Sequence, residues 1–252
     1  MSAITLHARA SADFDAKLSE TIAVLKQTAS DFAPPTNGGT KDITSLVTQA
    51  SSLGAEDMVI SHLINSLQLN IGIFVLDTGK LHKQTLDLLT QFMAESLAPV
   101  TVYTPVAEVA IAFVAREGQD AMFKSIALRK ACCNIRKMEP LERALTGKKA
   151  WITGLRREQS GARADVPLID TSEARTKINP LANWTWGDVW HYIQLNQVHY
   201  NALHDEFFPS IGCEPCTRAI SLGEDFRAGR WWWEAELEGG AAKECGLHVK
   251  NS

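Results

Sequence analysis

Apolar residues recur at Phe14, Leu18, Ile22 and Leu25, a spacing that predicts a helix within the first 40 residues. The stretch PPTNGG at 34–39 breaks that pattern. Short β-rich runs then alternate with helical ones. Residues 43–50 predict a strand, 51–54 a loop of small residues, and 55–69 a helix. Residues 71–76 predict a second strand running into Asp77-Thr78-Gly79, followed by a helix over 81–96 and a strand over 100–103. Two further short strands are expected at 151–154 and 166–169. This order predicts an α/β fold, an open, mostly parallel twisted sheet flanked by helices. The chain divides into a helical segment (1–40), an α/β domain (41–238), and a tail (239–252) behind Gly239-Gly240.

Composition narrows the picture. The net charge of −4 over 252 residues argues against nucleic-acid binding by bulk charge. The apolar run at 97–115 is interrupted by Pro99, Pro105 and Glu108, so no membrane span is expected. The first residues carry acids and no apolar run of signal-peptide length, which makes a cytoplasmic protein with reduced thiols the expectation. Five cysteines, an odd number, argue against a secreted disulfide framework.

Open α/β sheets bind ligands at the carboxyl ends of their strands. Three polar loops fall there: SSLGAED at 51–57, LDTGK at 76–80 and TGLRREQS at 153–160. The first offers hydroxyls, a glycine and backbone N–H groups at a helix start, which suits phosphate or sulfate; ordinary helix capping would use the same residues. Arg156 and Arg157 strengthen the anion reading, against the alternative of a solvated surface pair.

Four cysteines form two close pairs, Cys132-Cys133 and Cys213-Glu214-Pro215-Cys216. Such pairs suit metal or iron–sulfur ligation. Adjacent cysteines are awkward around one tetrahedral zinc and easier around a cluster with a separate iron for each thiolate. Zinc and plain buried thiols stay open as alternatives. Cys245, in ECGLH near the C-terminus, is placed for access rather than packing; a reactive thiol and an ordinary tail thiol are both compatible with that position. Arg136, Lys137, Arg218, Arg227 and Arg230 cluster in sequence near the cysteines, where cations suit an anionic cluster or a doubly charged ligand.

CCNIRKMEPLERAL, GCEPCTR and ECGLH occur together with SSLGAEDMV, LDTGKLHKQT, GLRREQS, NPLANWTWGDVW, HYNALHDEFFPSIGC and RAGRWWWE. In that order they resemble an assimilatory sulfonucleotide reductase of the cluster-containing, adenylyl-sulfate type, over roughly residues 43–248. Lys80, where that family often has Arg, and Glu206-Phe207-Phe208 depart from the pattern.

The resemblance implies an adenine-nucleotide α-hydrolase-like fold and the reduction of adenosine 5′-phosphosulfate to sulfite and AMP. Thioredoxin, or glutaredoxin, would be the reductant. It implies one 4Fe–4S cluster on Cys132, Cys133, Cys213 and Cys216, and Cys245 as the nucleophile that becomes an S-sulfonate. Ser51, Ser52 and Gly54 would line a phosphate loop that Asp57 supports, with Asp77, Thr78 and Gly79 near the nucleotide. Lys137, Arg156, Arg227 and Arg230 would meet the sulfate and phosphate charge, and His248 would orient the tail or aid thiolate formation. All four paired cysteines favour the unphosphorylated nucleotide over its 3′-phosphorylated form. The competing readings are a 3′-phosphoadenylyl-sulfate or dual-specific reductase, a zinc-binding PP-loop enzyme and a non-catalytic nucleotide sensor. Homo-oligomers are common in the family.

Overall fold

In the computed structural model the described residues are 2–33 and 45–234. Among them, strands β1 (Val47–Ser51), β2 (Gly72–Leu76), β3 (Val100–Tyr103), β4 (Ala150–Ile152), β5 (Ile169–Asp170) and β6 (Thr176–Ile178) form one sheet in the order β3-β2-β1-β4-β6-β5. Every pairing is parallel except β5 with β6. β1 and β4 lie centrally and are almost wholly buried, as parallel strands covered on both faces must be. Alternation along the strands divides the packing. Ile73, Val75 and Ile152 enter the main core, while Phe74 and Trp151 join a smaller cluster with Leu141, Ala144 and Leu145.

The helices are α1 (Ala3–His7), α2 (Phe14–Asp31), α3 (Ala55–Ser66), α4 (Lys83–Glu95), α5 (Ala107–Glu117), α6 (Ala121–Lys124), α7 (Ile126–Cys133), α8 (Glu139–Ala144) and α9 (Trp186–Asn196). A wide π-helical turn, Asn134–Met138, joins α7 to α8. None of these helices is long and apolar enough to cross a membrane. The expected N-terminal helix is α2, and Phe14 and Leu25 from it are buried in the same core as α3 and α9. Thr21 Oγ1 donates to Pro180 O at 2.9 Å and accepts from Trp184 Nε1 at 2.9 Å.

Two expectations change. The strand expected at 166–169 is the two-residue β5, and its antiparallel partner β6 was not anticipated. Thr176-Lys177-Ile178 is too short and polar to stand out; Lys177 lies 4.9 Å from the Trp151 ring centroid. The first strand begins at Val47, and residues 34–44 fall outside the described set.

α9 starts on a capping box in which Asp188 N donates to Thr185 Oγ1 at 3.0 Å and Thr185 N to Asp188 Oδ2 at 2.9 Å. The Asp188 carboxylate also accepts from Ser11 N and Oγ, both at 2.7 Å, and from Lys17 Nζ at 3.1 Å. Burial opposes its charge, but these donors outweigh it and hold its pKa at about 2. Asp188→Ala strands the donors that anchor the N-terminal segment and should cost about 3 kcal/mol of stability in urea unfolding.

Candidate active site

Strand order reverses between β1 and β4, so the loops leaving their carboxyl ends diverge and open a cleft. Ser51, Ser52 and Gly54 line one side of it; Thr153, Gly154 and Leu155 line the other. Ser51 Oγ accepts from Leu53 N at 3.2 Å, and Leu53 takes a left-handed φ of 60°. Gly54 caps α3, so the positive end of a 12-residue helix points at the cleft. Gln49, fully buried, holds that helix start: its Nε2 donates to Asp57 O at 2.8 Å while its Oε1 accepts from Ser61 Oγ at 3.0 Å.

Asp57 binds the loop itself. Ser52 N and Oγ donate to Asp57 Oδ2 at 2.7 and 2.6 Å. A Cβ at Gly154 would stand 2.5 Å from Asp57 Oδ1 and 2.9 Å from Glu56 Cβ, so only glycine permits this approach. Burial pushes the Asp57 pKa up to about 6, against the pull of the Ser52 donors.

The expected cations separate into two groups. Lys137, Arg227 and Arg230 line the cleft. The Lys137 side chain makes no hydrogen bond or ion pair to another described residue, whereas Arg230 Nη1 donates to Ile211 O at 3.2 Å and Ser210 Oγ at 3.4 Å. Arg156 does not line the cleft. It is fully buried, with Nε 2.9 Å from Glu56 Oε1, Nη1 2.7 Å from Glu158 Oε2, and its guanidinium 5.3 Å from the Trp186 ring centroid. Two carboxylates neutralise it, so it stiffens the wall. Arg163 reaches the cleft instead, with Nη1 donating to Gln159 Oε1 at 2.5 Å. Its signal in the sequence was its place in the continuation of the same polar loop, GLRREQSGAR.

In the loop after β2, Thr78 lines the cleft, while Asp77 and Gly79 do not. Asp77 Oδ1 accepts from Gly79 N at 2.8 Å, which shapes the turn. His204 was also unexpected; it lines the cleft, buried, and burial lowers its pKa to about 4, so its ring stays neutral.

The four paired cysteines come together as free thiols. Cys132 and Cys133 end α7, and Cys213 and Cys216 bracket a short turn. Cys132, Cys213 and Cys216 share an apolar pocket with Phe113, Met122 and Trp231. Burial pushes the Cys216 thiol up to about 12, and its neighbours Cys213, Cys133 and Cys132 add to the shift. Among the described residues no group of three or more His, Cys, Asp or Glu closes around a point suited to one metal ion. Arg136 Nη1 donates to Thr78 O at 2.8 Å, and Thr78 Oγ1 lies 3.2 Å from Cys213 Sγ. Thr78 and Cys213 line the cleft and also meet at the thiol pocket, so cleft and thiols have a common wall. Cys245 and His248 lie outside the described residues.

Residues 46–219 match the family described as phosphoadenosine phosphosulfate reductase domain. The chain is 49% identical over 201 residues to "Adenosine 5'-phosphosulfate reductase" of Allochromatium vinosum, covering 79% of this chain and 77% of that protein. It is 50% identical over 204 residues to the protein of the same name from Neisseria meningitidis serogroup A, covering 79% and 81%. Among solved structures it is similar to phosphoadenylyl-sulfate (PAPS) reductase from Candida auris in a phosphate complex (TM-score 0.63, 27% identity, covering 79% of this chain and 90% of that one). A likeness of fold alone extends to Candida glabrata FMN adenylyltransferase with FAD and inorganic pyrophosphate (TM-score 0.57, 13% identity, covering 89% and 76%).

Because Asp57 titrates near 6 when folded and at the ordinary 3.8 when unfolded, the folded state holds its proton longer. Its contribution is full below pH 3.8 and is lost as pH rises through about 6, a swing of about 3 kcal/mol. Asp57→Asn should remove that slope from urea-unfolding free energies measured between pH 4 and 7, whatever it does to absolute stability.

Proposed function

The chain belongs to the phosphoadenosine phosphosulfate reductase family, and from that premise we propose that it reduces adenosine 5′-phosphosulfate to sulfite and AMP in sulfate assimilation and cysteine biosynthesis. The observation that carries the reading is the common wall at Thr78 and Cys213, where an anion-seeking cleft meets four gathered thiols. The start of α3, Lys137, Arg227 and Arg230 supply donors and cations for the phosphosulfate. These are the groups needed where charge develops on the sulfate and on the departing phosphate.

In this reading the Cys245 thiolate attacks the sulfate sulfur and the bond from sulfur to the bridging phosphate oxygen breaks. AMP leaves with that electron pair, and a Cys S-sulfonate remains. A thiolate of thioredoxin, or of glutaredoxin, then attacks Cys245 Sγ and displaces sulfite. Its second thiol resolves the mixed disulfide and frees Cys245. The two electrons come from the reductant's thiols. His248 would act on the same tail as Cys245.

Cys132, Cys133, Cys213 and Cys216 would hold a 4Fe–4S cluster, and the apolar pocket with Arg129 and Arg136 beside it suits an anionic one. When bound, the cluster supplies a cross-link between the end of α7 and the Cys213–Cys216 turn. A cytoplasmic setting agrees with this reading, since reduced thiols persist there.

Steady-state sulfite release should be faster from adenosine 5′-phosphosulfate than from its 3′-phosphorylated form; the reverse preference would move the enzyme to the other branch of its family. Cys245→Ser should retain visible absorption but lose sulfite formation by at least about 10³-fold. It should also lose the sulfonate adduct seen by intact-protein mass after incubation with adenosine 5′-phosphosulfate. Cys213→Ser should lose iron and thermal stability together, because ligation couples to folding; iron content at the wild-type level would refute its place as a ligand.

A further inference from the structure

Arg129 lies on α7 and is buried, as is Glu234. The two pair bidentately, Nε to Oε1 at 2.7 Å and Nη2 to Oε2 at 3.0 Å. The Arg129 guanidinium also lies 4.6 Å from the centroid of the Trp231 ring. The Arg230 guanidinium lies 4.8 Å from the same centroid. One indole therefore serves two cations. Glu234 balances the first; the second makes no ion pair among the described residues and lines the cleft.

The backbone builds this arrangement at some cost. Trp231 is 1% exposed and adopts a left-handed φ of 44°, uncommon for a bulky residue. That turn lets consecutive side chains serve different neighbours, Arg230 at the cleft and Trp231 against α7. Arg230 is confined on another side by Gly212, where any Cβ would collide with the guanidinium. A buried ion pair is weak evidence for stability alone, since apolar residues of equal volume often serve as well. Here the pair has a geometric consequence. With Glu234 in place, Arg129 is neutralised and the indole can accept the unbalanced charge of Arg230. Without Glu234, Arg129 loses the bidentate partner that orients it, the two guanidiniums compete for one ring in a buried setting, and Arg230 shifts from its place in the cleft.

We propose that the Arg129–Glu234 pair, acting through the Trp231 ring, positions the Arg230 guanidinium in the cleft. The inference rests on the reading of the cleft as a sulfonucleotide site. Arg129 and Glu234 are positioning residues; neither lines the cleft. Glu234 also stands eleven residues before Cys245, so the same pair fixes the point from which that stretch of chain starts.

The test uses the iron-loaded enzyme carrying Glu234→Gln, Arg230→Ala, or both, with AMP affinity measured by calorimetry and sulfite release in the steady state. Glu234→Gln should raise the AMP Kd and the KM for adenosine 5′-phosphosulfate about tenfold, with a smaller change in kcat. In the Arg230→Ala background it should cost no further affinity, because the residue it acts through is gone. Arg129→Lys, which keeps the charge but not the planar fork, should fall between wild type and Glu234→Gln. If Glu234→Gln does not fold, Trp231→Phe enters the same cycle with Arg230→Ala. Iron content and visible absorption are compared throughout, so that loss of the cluster is separated from displacement of Arg230. Wild-type sulfite release tests the underlying reading on its own. AMP affinity that is unchanged in Glu234→Gln, or penalties that multiply in the double variant, would overturn the proposal.

Discussion

Asp57 ties together the two strand ends that frame the cleft. One carboxyl oxygen takes both Ser52 donors, and the other lies where Gly154 comes too close for any side chain. The first contact shapes the turn that presents the start of α3; the second fixes how near the β4 exit comes to it. Gln49 and Ser61 brace the same helix start from below. The ligand end of the sheet is therefore held by a buried carboxyl of raised pKa rather than by apolar packing alone.

Charge is distributed locally rather than globally. The chain is net acidic, yet Lys137 and Arg230 reach the cleft with no carboxylate partner among the described residues. Arg156, which looks equivalent in the sequence, is cancelled by Glu56 and Glu158. An arginine's worth to an anion thus depends on what its guanidinium already binds. The thiol pocket follows the same logic in reverse: burial makes the Cys132 and Cys216 thiolates costly, and Arg136 and Arg230 offset part of that cost.

Much of this was legible in the chain. The helical spacing of Phe14 to Leu25 and the alternation of strands with helices gave α2 and the first three strands within a few residues. The residues Ser51, Ser52, Gly54, Thr78, Lys137, Arg227 and Arg230 do meet at one cleft, because loops at strand ends in this topology must converge. The failures have a common cause. β6 pairs through only three residues and carries no apolar run. Arg156 turns to Glu56, a partner 100 residues earlier that spacing cannot reveal. Arg163 and His204 reach the cleft only through the fold of their loops. Spacing reports a residue's neighbours along an element; it carries no information on partners brought in by tertiary packing.

The π-helical turn at Asn134–Met138 has a consequence of its own. Each residue of an α-helix advances about 100° around the axis. A wide turn takes up about one extra residue, so everything after it is rotated by about that angle relative to an uninterrupted helix. α7 faces the thiol pocket through Cys132, whereas α8 faces the sheet through Leu141 and Ala144. Lys137 sits within the turn and lines the cleft. The turn works as a phase shifter between three surfaces, so the residue count across it sets which side chain faces which surface. Loss or gain of one residue there would turn α8 by about 100° and take Leu141 and Ala144 off the sheet, whereas a change of side chain would leave that register intact.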